Sequence, residues 1–242
     1  MAFVSSVALP VRSLQLWRIS LLVVLVGLLL GCATGTTVEM ETLQTLISGK
    51  GSGTPAIPSN PDPRYRYLVG AVKGSRPAML VLAYVDAHPQ GPVEVWASAT
   101  GEMVKLQNGR IIATAGLNTD LLAVRMKSSP LAWEKLTEQG HQFERERDVM
   151  PGYRFNMLEQ LHVVPWKQQP LHDLPSTLPK DSALRYRWFR EVSEVTSGNG
   201  LPDAWFAWGK HLGEWSVVYT EQCLAPDYCL WLQRWPVKEE AN

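Results

Sequence analysis

Cys32 is the residue of this chain whose type and setting prescribe a covalent chemistry. Gly31 precedes it directly, an apolar run from Ile19 to Leu30 is broken only by Ser20 and Gly27, and Arg12 and Arg18 flank Trp17 ahead of that run. Positive charge, an apolar core shorter than the ~20 residues of a bilayer span, and a small residue before a cysteine form a bacterial lipoprotein signal. The expected outcome is removal of residues 1–31 and acylation of Cys32, leaving a chain held on a membrane by its acyl chains. Ala33 stands where an Asp would retain a lipoprotein in the inner membrane in enterobacterial sorting. By that analogy the protein goes to the outer membrane, lipid-anchored on its periplasmic face.

The other residues able to do chemistry are few. Cys223 and Cys229 remain as an even pair in an oxidising compartment, enclosing Leu224-Ala225-Pro226-Asp227-Tyr228. Pro-Asp is a turn signal, so a disulfide stapling a hairpin end is expected; the spacing is not Cys-x-x-Cys, which argues against redox or metal work. Glu144, Glu146 and Asp148 alternate with Arg145 and Arg147, so the three acids share one strand face. A carboxylate pair can serve glycoside chemistry, but beside two arginines the simpler reading is a solvated face. His88, His141, His162, His172 and His211 fall in no ligand spacing, and no nucleophile elbow, P-loop or dinucleotide fingerprint occurs. No catalytic residue, metal or cofactor is expected.

Tryptophan is in excess, ten in all, with Trp205, Trp208, Trp215, Trp231 and Trp235 gathered toward the C-terminus. Indole faces on a β surface suit the apolar C–H faces of sugar rings, although core filling is the commoner use. Tyr228, Trp231 and Trp235, near the stapled turn, are the candidate residues for binding glycan or a partner. Removing 31 residues from 242 leaves 211, and the two arginines lost with them turn 23 basic against 23 acidic residues into 21 against 23. That balance gives no reason to expect nucleic acid.

These residues must be positioned mainly by strands. Thr36-x-x-Glu39 opens a short amphipathic helix over 37–48, and a Gly/Ser/Pro stretch to Pro63 links it to the body, so 32–63 reads as an anchored segment and 64–242 as one domain. Strand patterns begin at Arg64 and continue at Met79–Val85, Val93–Ala97, Met103–Leu106, Ile111–Thr114 and Leu121–Met126. Asn108-Gly109 is the strongest hairpin signal, because both central residues of a type I′ turn need positive φ. A brief helix is expected over 131–138, then strands at Phe143–Val149 and Tyr153–Val164. Leu184, Tyr186, Trp188 and Val192 read as one strand face, followed by Ala204–Trp208, Trp215–Thr220 and Tyr228–Trp235. Four prolines between Pro165 and Lys180 mark a surface excursion where the sheet is expected to turn back on itself. The pattern predicts a mainly β fold, an antiparallel meander sheet folded on itself as a sandwich or incomplete barrel, with a few short helices.

The stretch Asn108 to Leu121 resembles the YjbF family, the group 4 capsule polysaccharide lipoproteins also called GfcB. The lipoprotein signal, the strand pair from Tyr67 to Val85, the aromatic Arg185–Trp188 stretch and the C-terminal hairpins occur in the same order. The resemblance implies an antiparallel sheet folded on itself, no established enzymatic activity, and service with the machinery that exports capsule or exopolysaccharide. The expected function is that of a non-enzymatic accessory binding glycan or an export partner. A glycan-modifying enzyme using Glu144 and Asp148, and a lipid or lipoprotein carrier of half-barrel type, remain as alternatives.

Overall fold

The computed structural model describes residues 57–170, 174–175, 177–179, 181–195 and 200–237. Cys32 with its signal and the helix expected over 37–48 lie outside the described residues. The chain divides into two units, Met1–Leu46 and Ile47–Asn242, and all described residues belong to the second.

Twelve strands form one antiparallel sheet: β1 (Tyr67–Val72), β2 (Ala78–Asp86), β3 (Val93–Ser98), β4 (Met103–Gln107), β5 (Arg110–Ala115), β6 (Asp120–Met126), β7 (His141–Met150), β8 (Arg154–Trp166), β9 (Arg187–Val195), β10 (Ala204–His211), β11 (Glu214–Ala225) and β12 (Tyr228–Trp235). Every consecutive pair is hydrogen-bonded except β5 and β6, and β1 pairs with β12. The sheet is therefore a meander nearly closed into a barrel, with its seam between β5 and β6.

Side chains close that seam where a ladder does not. Asp120 accepts from the Thr114 hydroxyl at 2.8 Å and from the Gly116 and Leu117 N–H groups at 3.1 and 3.2 Å, while Thr114 Oγ1 accepts the Leu121 N–H at 2.9 Å. These bonds satisfy backbone donors at a sheet edge that would otherwise be left open. The fold-back expected at the Pro165–Lys180 excursion is thus here instead: β8 and β9, on either side of the excursion, are paired directly, with Trp166 opposite Trp188. Four prolines do prevent regular strand, but the chain leaves the sheet and returns to the same place.

The excursion covers the outer face. Thr177 and Gln233 bond one another, Leu178 packs with Trp188, Ala207, Val218 and Tyr219, and the Trp188 indole donates to the Ser182 carbonyl at 3.1 Å. Ser182–Arg185 forms a single helical turn, so β9 begins at Arg187 rather than at Leu184, which is 92 % exposed. The expected helix over 131–138 reduces to a 3₁₀ turn at Trp133–Lys135, because Leu136 is already extended and Trp133 is the residue anchored in the core.

Inside the barrel lie two apolar clusters. One holds Leu68, Trp96, Ile111, Val149, Leu224 and Leu230, the other Trp133, Phe143, Leu161, Phe189, Phe206 and Val217. Period-two alternation along β7 takes the inward face from Phe143 through Arg145 and Arg147 to Val149, so charge must lie between the clusters. Glu159, fully buried, accepts from Arg145 Nε and Arg147 Nε at 2.7 Å each, and Arg147 also donates to the Leu224 carbonyl at 2.9 Å. Arg110 donates through Nε to Glu191 at 2.9 Å. Burial, the largest influence, pulls the Arg110 and Arg147 pKa values down, and the glutamates opposite them pull the other way.

Cys223 and Cys229 face each other across β11 and β12 and are disulfide-bonded, as their parity and the turn between them predict. Replacing both with serine is expected to lower unfolding free energy by about 2 kcal/mol, the loop-entropy value for so short a ring. Equal urea midpoints for the oxidised wild type and the double variant would contradict that expectation.

Candidate functional site

Turns alternate between the two ends of a meander, so the β2–β3, β4–β5, β6–β7 and β10–β11 connections emerge at one mouth of the barrel. Between them lies a cleft of about 660 Å³. Its floor is Trp133, Arg110 and Val217; one wall carries Glu94, Trp96 and Arg234, and the other Trp208, Glu214 and Trp215.

The floor is fixed by the Asn108-Gly109 turn. Asn108 and Gly109 have φ of 51° and 78°, as a type I′ turn requires. The Trp133 indole donates to the Asn108 carbonyl at 2.9 Å, and the Gln222 amide donates to the Gly109 carbonyl at 3.0 Å while accepting the Ile111 N–H at 3.0 Å. A Cβ on Gly109 would stand 2.5 Å from Val217, so the turn sits against β11 as only glycine allows. Arg110, 1 % exposed, then lies beneath the cleft with its guanidinium carbon 4.3 Å from the Trp133 ring centroid, 5.1 Å from Phe143 and 5.3 Å from Phe206. The aromatic faces and Glu191 together stabilise a cation that burial alone would expel.

The walls combine ion pairs with an exposed indole. Arg234 Nη2 lies 2.9 Å from both Glu94 oxygens, its Nε donates to the Val217 carbonyl at 3.1 Å, and the Trp96 indole donates to Glu94 at 3.2 Å. Across the mouth Arg66 is 3.6 Å from Glu214. Trp215, 58 % exposed, stacks on the half-buried Trp208 with centroids 6.1 Å apart and planes 16° apart, and Lys210 lies 5.8 Å from the Trp215 ring. Trp208 in turn packs on the second internal cluster, so the exposed ring is backed by the core.

Of the binding residues proposed from sequence, none lines this cleft. Tyr228 is at the stapled turn, at the opposite end of the barrel, against Leu230 and Leu232. Trp231 stacks on Tyr219 at 6.5 Å under the Pro-rich excursion, and the Trp235 indole donates to the Pro58 carbonyl at 2.9 Å. Glu144, Glu146 and Asp148 share the outer face, as their spacing requires. There Arg125 binds Asp148 at 2.7 and 2.9 Å, Arg125 and Lys127 bind Glu146, and Gln160 binds Glu144. The Arg125 guanidinium first, then the Asn156 N–H, hold the Asp148 carboxyl down to about 2. That depression supports folding at neutral pH and is lost only as pH falls from the ordinary carboxylate range through about 2. What sequence reasoning missed was Trp215 with Trp208; the signal was their place astride the tight Leu212-Gly213 turn, which puts both rings at one mouth.

A rolled antiparallel meander, pinned by a buried arginine–glutamate belt and open at one mouth as an aromatic cleft, is the class that fold and site define. Residues 57–172 match the family model described as Group 4 capsule polysaccharide lipoprotein gfcB, YjbF, which bears out the resemblance carried by Asn108–Leu121. The match takes in β1 to β8; Trp208 and Trp215 lie beyond it. Among solved structures, the hypothetical lipoprotein YmcC from Escherichia coli K12 shares the fold, with a TM-score of 0.59 at 15 % identity, over 85 % of this chain and 99 % of that one. No match is found among curated proteins.

Proposed function

We propose that this chain is a lipid-anchored lipoprotein of the cell envelope, held on the periplasmic face of the outer membrane through Cys32, and that it serves capsule or exopolysaccharide export without catalysis by holding glycan in the cleft. The observation that carries the reading is Trp215, an exposed indole backed by Trp208 in an open cleft with polar walls, since stacking needs a rigid ring held in place before the ligand arrives. The family match, whose description names a capsule polysaccharide lipoprotein, and the lipoprotein signal ending at Cys32 support the setting. Partners are then the polysaccharide and proteins of its export apparatus.

The carboxylates argue against an enzyme. Glu144, Glu146 and Asp148 lie on an ion-paired outer face, and Asp148 is driven away from the raised pKa a general acid needs. A carrier of half-barrel type would need an open aliphatic interior, and this interior is packed by two apolar clusters with an arginine–glutamate belt between them.

Secreted polysaccharide should fall sharply in cells carrying Trp208→Ala with Trp215→Ala and stay near wild type with Glu146→Ala and Asp148→Ala, at equal protein levels. The reverse pattern would indicate an enzyme; loss confined to changes at Tyr228, Trp231 and Trp235 would move the working surface away from the cleft. Cys32→Ser should abolish metabolic labelling by palmitate, and a labelled variant would refute the anchor.

A further inference from the structure

Resting on that reading, we infer that the cleft selects uncharged glycan, with Trp215 as platform and the Arg234–Glu94 and Arg66–Glu214 pairs as hydroxyl-binding walls, and that it discriminates against acidic polysaccharide. Three arginines line the cleft, and each has a carboxylate beside it: Arg234 bonded to Glu94 at 2.9 Å, the buried Arg110 with Glu191 at 2.8 Å, and the exposed Arg66 facing Glu214 at 3.6 Å, an ion-pair distance, while Lys210 lies over the Trp215 ring. A uronate or a phosphorylated sugar is held by charge-assisted bonds from a guanidinium with donors to spare, and a carboxylate already in place competes for those donors and repels the ligand. Glu134 on the rim adds another acid.

A neutral sugar meets the opposite situation. Each hydroxyl both donates and accepts, and an arginine–glutamate pair presents N–H donors beside carboxylate acceptors, the complement of two neighbouring hydroxyls on one ring. Arg234 and Glu94 are also held from behind, by the Val217 carbonyl and the Trp96 indole, so little ordering is left to the moment of binding. The stacked Trp215 supplies the apolar face. Because the walls are balanced, binding should depend little on salt, whereas binding of a polyanion would weaken steeply with it.

The test is affinity electrophoresis of the full lipid-anchored chain, in a zwitterionic detergent free of sugar, through gels containing dextran, galactomannan or mixed-linkage β-glucan, and through gels containing alginate or polygalacturonate. Retardation by at least one neutral polymer, with a dissociation constant unchanged between low and high salt, is expected; Trp215→Ala should weaken it about tenfold, the size of one lost stacking contact with its buried area. Glu94→Gln frees Arg234 and should lower neutral affinity while creating salt-sensitive retention by alginate. Both variants are compared at equal thermal midpoints, so that lost binding is not lost folding. Retention of the wild type by the polyuronates, abolished by Trp215→Ala, would overturn the selectivity and leave the glycan reading standing. No retention by any of the five polymers would overturn both.

Discussion

Glu159→Gln is expected to lower unfolding free energy by about 3–5 kcal/mol, the cost of stranding buried charge. Glu159 is fully buried and bonded at 2.7 Å to both Arg145 and Arg147, so its neutralisation strips Arg147 of its carboxylate and leaves Arg145 only Glu191, 4.0 Å away and already paired with Arg110. Against a typical stability of about 5–15 kcal/mol, that would leave a marginal fold. The belt need not stabilise relative to an apolar core, because desolvating five ions offsets much of their attraction. Accordingly the triple variant Arg145→Met, Arg147→Met, Glu159→Leu should recover most of what Glu159→Gln loses. Urea denaturation followed by tryptophan fluorescence measures both. A single variant within 1 kcal/mol of wild type would mean that water reaches the belt and that the barrel interior is wetter than its burial implies.

Gly109→Ala should cost about 2–5 kcal/mol and disable the cleft. Two independent penalties add: a φ of 78° in a residue with a side chain, about 1–2 kcal/mol, and a methyl driven to 2.5 Å from Val217, an overpacking cost of about 1–3 kcal/mol. They can be separated. Val217→Gly in the Gly109→Ala background removes every Val217 side-chain atom that the new methyl meets but not the backbone strain, so it should restore only part of the loss, less the cavity its own truncation leaves. Full restoration would mean that the strain term is negligible, and no restoration that the turn does not rest on β11. Since Gly109 carries the carbonyl that Gln222 binds and precedes Arg110, a displaced turn should also weaken polysaccharide retention before the protein unfolds.

Local chemistry was sufficient for the strands. Asn108-Gly109 demanded a type I′ turn, the Pro226-Asp227 turn brought Cys223 opposite Cys229, and alternation along 143–149 put Glu144, Glu146 and Asp148 on one face; each follows from backbone φ or from the period of two, which neighbours in sequence already determine. The same alternation placed Arg145 and Arg147 together but could not say that their face was the inside, because that depends on Glu159 and Glu191 arriving from β8 and β9 to neutralise them. The seam was equally hidden: β6 follows β5 by a short turn and reads as the next strand of a meander, yet Thr114 and Asp120 take the edge donors with side chains and the pair never ladders. Burial of the tryptophans was decided at the same level. Trp231 and Trp235 looked as free as Trp215 by sequence, and it is the return of the Pro-rich excursion over Gln233 and Tyr219, together with the chain at Pro58, that covers the first two, whereas Trp215 stays 58 % exposed among the described residues. Which face a strand hides is settled by the far segments that pack on it, and those contacts have no signature in the strand's own residues.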